Sequence, residues 1–234
     1  MTICFIIVGI AIAVLIFYLI SKCKKYDLKE LFIKTGLSLL FVVLALVSTY
    51  NSGKFGLFNV LIIIGLVFGF TGDILLDLKY IDKERSNGYN CAGFVVFGLG
   101  HIMFVTGLIM RFYNKGEILY IILPICLDII ISILTIVLEK PLKLNYGSLK
   151  PLCFCYALCL FGTVSFSLFL AIQNGFQILS LNMFLIGAVL FAISDLILSG
   201  TYFGEGKERP IDFILNYVTY YGAQYTIAFL LLFL

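Results

Sequence analysis

The sequence predicts an all-α membrane protein: a bundle of about eight transmembrane helices forming one domain over residues 1–234. Three observations carry that prediction. The first is composition, with 62% hydrophobic residues, only 12% charged residues and a mean hydropathy of +1.12. A water-soluble domain is about half apolar and about a quarter charged, so this chain lacks the polar skin that would keep it dissolved. The second is that the apolar residues fall in runs of about 20, the length that crosses the hydrocarbon core as a helix. The third is that the basic residues sit in the short connectors between runs, and sit there unevenly. The net charge of +3 is small and forms no basic patch, so nucleic acid is not an expected partner.

Taken in order, the expected spans are 3–20, 31–50, 58–78, 92–110, 118–138, 151–172, 179–199 and 214–234. The first has no basic residue ahead of it and several behind, which reads as an uncleaved helix rather than a signal peptide. It is closed by Lys22, Lys24, Lys25 and Lys29, and the second span then carries Lys34 one turn in. Lys54 separates the second from the third, which holds Asp73 and Asp77 and is closed by Lys79, Lys83 and Arg85. The fourth holds His101 and ends before Arg111 and Lys115; the fifth holds Asp128 and ends before Lys140, Lys143 and Lys150. Tyr156 lies in the sixth, and the uncharged connector 173–177 leads to the seventh, which holds Asp195 and is followed by Lys207 and Arg209. The eighth carries Tyr220, Tyr221 and Gln224.

Counted by side, twelve of these connector cations follow odd-numbered spans and three follow even-numbered ones. Lysine and arginine concentrate in cytoplasmic loops, so both termini are expected outside the cytoplasm of a multi-pass cell-membrane protein. Seven cysteines are present, and Cys4, Cys126, Cys153, Cys155 and Cys159 lie inside apolar runs. They read as small packing residues rather than a disulfide framework or a metal site, and neither metal nor cofactor is expected.

An ionisable residue inside a span is costly and raises a functional question by default. Asp77, near a helix end, reads as a solvated interfacial carboxylate. Lys34 reads either as a snorkelling side chain or as a functional one. Asp128 has no polar neighbours in sequence, and a buried structural hydrogen bond explains it as well as chemistry does. His101 alone fits a core histidine equally well. Asp73 and Asp195 differ, because each is flanked by small polar residues, in Thr71-Gly72-Asp73 and Ser194-Asp195. With the expected orientation these two share a depth with Lys34, Tyr156, Tyr220, Tyr221 and Gln224, and His101 lies somewhat deeper. The result is a polar layer, drawn from six helices, facing the cytoplasmic leaflet.

A faint internal echo accompanies the layer. Gly72-Asp73-Ile74-Leu75-Leu76 resembles Ser194-Asp195-Leu196-Ile197-Leu198, and His101 and Gln224 follow their respective aspartates at nearly equal distances. A duplicated unit of four helices, arranged as a parallel 4+4 pseudo-repeat, would produce this pattern.

At these residues the chain resembles the YhhN family of lysoplasmalogenase-like membrane proteins. The resemblance runs from the second span to the C-terminus. It rests on Gly72-Asp73-x-x-Leu76, Gly93-Phe94-x-x-Phe97-x-x-x-His101, Gly187-Ala188-x-x-Phe191-x-x-Ser194-Asp195-x-x-Leu198 and Tyr220-Tyr221-x-Ala223-Gln224. The chain departs from the family at Lys34-Thr35, where Lys-Pro is frequent, and at Asp77, where an apolar residue is usual. What the resemblance implies is hydrolysis of the vinyl ether bond of a lysoplasmalogen, a membrane lysophospholipid, to a fatty aldehyde and a glycerophospho-base. That reaction protonates the outer alkene carbon and lets water capture the resulting oxocarbenium ion. It needs one neutral carboxylic acid and one carboxylate, the electronic problem that glycosidases solve with two carboxyl groups. Asp73 and Asp195 are the candidate pair. His101 is a candidate proton shuttle, Lys34 a candidate phosphate holder, and Tyr156, Ser194, Tyr220, Tyr221 and Gln224 candidate supports for water or substrate.

Other classes fit less well. An intramembrane aspartyl protease would have glycine where Phe70 stands, and a zinc hydrolase needs more than the single histidine present. The alternatives that remain are a proton- or cation-coupled transporter using the carboxylates as a relay, and a non-catalytic lipid-binding membrane protein. The polar residues thin out toward one face, which disfavours a through-path.

Overall fold

In the computed structural model the chain folds into eight long α-helices, and the structure describes residues 1–21, 28–204 and 209–234. The helices are α1 Thr2–Ser21, α2 Leu28–Ser52, α3 Leu57–Ile81, α4 Ser86–Phe112, α5 Leu119–Val137, α6 Lys150–Gln173, α7 Leu179–Phe203 and α8 Pro210–Phe229. Among the described residues there is no strand, only an isolated bridge between Leu144 and Gly204. Lys22, Lys24, Lys25 and Lys207, which enter the charge asymmetry, lie outside the described residues.

Each expected span is therefore a helix, with ends displaced by a few residues. The largest displacement is at α4, which begins at Ser86 because Asp82 caps a short 3-10 turn, Lys83–Arg85, that feeds straight into it. Among the described residues seven helices, α1 to α7, are long and apolar enough to cross a membrane. α8 is as long as α1. It is more polar because one face carries Asn216, Tyr220 and Gln224 into the protein; its burial there replaces the hydrocarbon that the other helices meet.

The helices pack as consecutive antiparallel neighbours. α3 lies against α4 along most of its length, and α7 does the same with α8. Close approach at the first of these pairs depends on small residues, as membrane helix packing generally does. A Cβ on Gly100 would stand 3.0 Å from the Gly65 carbonyl oxygen, so backbone meets backbone there. A Cβ on Gly72 would overlap the Phe97 ring at 2.6 Å. α5 packs chiefly on α6 and leaves most of its apolar surface outward. α2 completes the core by touching α1, α3 and α8.

These contacts bring the ends of α3 and α7 and the starts of α2, α6 and α8 to one end of the bundle. The loop between α5 and α6 folds back over that end. Asn145 N–H donates to the Phe203 carbonyl at 2.8 Å, and Glu139 accepts from the Tyr146 amide at 2.9 Å and from Lys150 at 2.5 Å. The loop is thus clamped onto the last turn of α7.

Candidate active site

Asp73 stands eight residues before the end of α3 and Asp195 eight residues before the end of α7, so both lie about 12 Å inside the bundle. Both line one cavity of about 650 Å³ that opens at that end. Lys34, Asp77, Tyr156, Ser194 and Tyr220 line it as well, together with apolar residues of α6 and α7. All eight helices contribute residues to its wall, and α4, one of the six in the depth argument from sequence, does so through Phe94 and Phe97 rather than His101.

The two aspartates are held differently. Asp73 is buried, and its Oδ2 accepts hydrogen bonds from Ser38 Oγ at 2.5 Å and Tyr220 Oη at 2.7 Å. Its Oδ1 is 3.9 Å from Lys34 Nζ. Behind these donors stands a further layer: Gln224 Nε2 donates to Tyr220 Oη at 3.1 Å, and the Tyr221 and Ser38 hydroxyls are 3.1 Å apart. Gln224 fits because residue 69 is glycine; a Cβ there would stand 2.6 Å from Gln224 Nε2. Asp195 has one hydrogen bond among the described residues, from the Tyr156 hydroxyl to Oδ2, and no ion pair. Its neighbour Ser194 is tied to α8, where Asn216 Nδ2 donates to the Ser194 carbonyl and Oγ, each at 2.9 Å. That clamp sets the rotation of α7 and with it the direction of Asp195.

Asp77 corrects the sequence reading. It is not a solvated interfacial carboxylate: it is 2% exposed, and its Oδ1 is 2.7 Å from Lys34 Nζ. Lys34 is 7% exposed, so it does not snorkel to an interface. The reason is tertiary. α2 packs against α3 so that Lys34 falls beside the last turns of α3, and a buried charge needs an opposite one next to it. Asp128 is a second correction: Ser132, four residues on and so one helical turn away on the same face, is a polar neighbour and donates to Oδ1 at 3.2 Å.

Three sequence candidates do not reach the cavity. Tyr221 and Gln224 support Asp73 from behind, as described. His101 is buried, with Nδ1 3.0 Å from Thr163 Oγ1 and its ring 4.7 Å from Phe191 and 6.0 Å from Tyr156, centroid to centroid. Thr163 donates its own proton to the Cys159 carbonyl, so its oxygen accepts and His101 Nδ1 donates. The histidine therefore buttresses Tyr156 rather than facing the cavity. Thr71 bonds back to the Val67 carbonyl and takes no part.

Residues that sequence reasoning missed include Ser38, Tyr80, Tyr202, Tyr217 and, from the clamped loop, Tyr146. Ser38 follows Lys34 by one helical turn and so shares its face, a signal available in the sequence. Tyr217 stands one turn before Tyr220 and Tyr221 on α8 and is likewise legible in retrospect. Tyr146 is not, because its place depends on the loop folding over α7, where its ring meets Phe203 at 4.9 Å.

The sequence model of the YhhN family matches residues 29–231, and the chain belongs to the YhhN family. No curated protein and no solved structure matches it.

Proposed function

We propose that this protein is a membrane hydrolase that cleaves the vinyl ether bond of lysoplasmalogens, with Asp195 as the acid and Asp73 as the carboxylate. One observation carries the reading: two aspartates at equal depth on one cavity, with unequal donor sets. Hydrogen bonds to a carboxylate and a nearby cation favour its charged form, and Asp73 has both. Asp195, facing apolar walls with one donor, is suited to arrive protonated.

In the proposed cycle Asp195 gives its proton to the outer alkene carbon, and the electron pair of the double bond forms the new C–H bond. The ether oxygen shares the positive charge that results, opposite the carboxylate of Asp73. Water adds to the oxygen-bearing carbon while Asp73 takes a proton from it, giving a hemiacetal. Collapse of the hemiacetal expels the glycerol oxygen, which takes the proton from Asp73. The proton of the hemiacetal hydroxyl returns to Asp195, and aldehyde and glycerophospho-base leave. No net proton is consumed. Tyr220 and Ser38 keep Asp73 aimed, while Tyr156, backed by His101, aims Asp195. The lipid tail fits along α6 and α7, beside Ala157, Leu160 and Leu196.

The same reading includes the finer topology: eight spans, both termini outside, a cavity mouth at the cytoplasmic leaflet, and the four-helix pseudo-repeat. In support of the last, Asp195 lies as far along the chain from Asp73 as Tyr156 does from Lys34, and each of those partners stands beside its aspartate.

Purified protein in detergent should release fatty aldehyde from an alkenyl lysolipid, with one solvent deuteron at the carbon next to the carbonyl when the assay runs in D₂O. Folded protein that releases no aldehyde from any alkenyl lysolipid would refute the reading.

A further inference from the structure

The buried Lys34–Asp77 pair lies between the cavity mouth and the two aspartates, and the proposed reaction uses Lys34 only through its approach to Asp73 and leaves Asp77 without a task. Asp77 is four residues from the end of α3, about 6 Å inside, whereas Asp73 and Asp195 are about 12 Å inside. If the reacting alkene sits at the depth of the aspartates, the head group points to the mouth. Half a dozen bonds separate the alkene from the phosphorus, a reach of roughly 7 Å. The phosphate then falls at the level of Lys34 and Asp77.

At that level Lys34 and Asp77 are in contact, 2.7 Å apart, with Tyr217 5.4 Å from Lys34 Nζ. Further out come the rings of Tyr80 and Tyr202, which also line the cavity. We propose that Asp77 sets head-group selectivity: the Lys34–Asp77 pair opens to receive a zwitterionic head, Lys34 taking the phosphate and Asp77 the ammonium. Two ion pairs exchange partners, so no uncompensated charge is left in a low-dielectric site. The tyrosine rings add a face for the ammonium. A head with a phosphate and no amine lacks a partner for Asp77 and brings a second negative charge next to it, and like-charge juxtaposition is costly. This inference rests on the proposed reaction only for the placement of the lipid.

The test uses full-length protein and two lipids with the same alkenyl chain, one with a phosphoethanolamine head and one with a phosphoglycerol head. Their saturated 1-alkyl counterparts, which cannot be cleaved, compete for binding against a fluorescent lysolipid. The wild type should prefer the zwitterion by at least about tenfold in both kcat/KM and binding. Asp77→Glu should keep that preference, and Asp77→Asn should reduce it to within about twofold, mainly through KM. The double variant Lys34→Gln/Asp77→Asn, which removes both members of the pair and leaves Asp73 its Ser38 and Tyr220 donors, should bind both lipids weakly and without preference. A wild type that does not discriminate, or an Asp77→Asn protein that still does, would overturn the proposal. If the binding preference follows Asp77 while no aldehyde is formed, the reaction fails and the head-group site stands. If aldehyde is released with no head preference, the reaction stands and the head-group site fails.

Discussion

Asp73 and Asp195 lie at one depth on one cavity, but they sit in opposite kinds of surroundings. Around Asp73, α2 and α8 supply Ser38, Tyr220 and Lys34, with Gln224 and Tyr221 behind them. Around Asp195, α6 supplies a single tyrosine hydroxyl, and the rest of the nearby wall is largely apolar. Identical side chains thus acquire different chemistry from their neighbours. A carboxylate needs donors to hold its charge in lipid, whereas a carboxylic acid needs only a direction in which to point its proton.

The strongest way to break this comparison is to remove each acid. Asp73→Asn and Asp195→Asn should each lower aldehyde release by about a thousandfold, the range of a lost general acid or base. The comparison becomes sharper with a more basic alkene, such as one methylated at the oxygen-bearing carbon. Such a substrate should recover activity in Asp195→Asn more than in Asp73→Asn, because a better-stabilised cation eases protonation of carbon but is a poorer electrophile, which leaves the need for Asp73 as the base in water capture. Equal recovery in both would remove the assignment of roles.

Next come the donors. Tyr220→Phe and Ser38→Ala each remove a hydrogen bond to a charged oxygen, worth about 1.5–3 kcal/mol, and should reduce kcat about tenfold or more. Tyr156→Phe should cost less, since it takes only an aiming contact from a neutral acid. Steady-state kinetics with thermal unfolding as a control would show the order; a larger loss for Tyr156→Phe would invert the comparison. A gentler probe is Gly69→Ala, whose Cβ would press on Gln224 and loosen the second layer behind Asp73. Overpacking of that kind costs about 1–3 kcal/mol of stability, readable as a lower unfolding temperature in detergent.

The smallest effect lies outside the spans, at the loop clamped over the cavity mouth. Hydrogen bonds from Lys150 and from the Tyr146 amide hold the Glu139 carboxyl below its ordinary value of 4.5. A depressed carboxyl contributes stability above its unfolded value and loses it as pH falls through the folded one. The wild type should therefore give up this contribution below about pH 4.5, while Glu139→Gln, lacking it throughout, should show a flatter profile over that range.

Much of this was legible in the sequence. Runs of about 20 apolar residues bounded by lysines mark spans whatever their partners are, because hydrocarbon thickness alone sets that length. Asp73, Asp195, Tyr156 and Tyr220 stood out because lipid makes an unexplained polar group conspicuous. Asp77 was misread for the same local reason. Its place near a helix end suggests solvent, and only the packing of α2 against α3 puts Lys34 beside it. His101 is the converse case: conspicuous in sequence, yet turned toward Thr163 rather than the cavity. Tyr146 depends on a loop folding back over another helix, and helical periodicity carries no information about that.

The glycine contacts between α3 and α4 have a last consequence. Backbone meets backbone at Gly65 and Gly100, and the rings of Phe104 and Phe97 seat on Gly65 and Gly72, so neither helix can slide on the other without unseating them. Asp73 rides on that seam. Its oxygens, and the hydroxyls that converge on them, are oriented when the chain folds and do not have to swing round each time positive charge appears opposite them. A fluid solvent would need to reorient for every such event. In a membrane, where water is scarce, a stiff pair of helices does the work of a solvation shell.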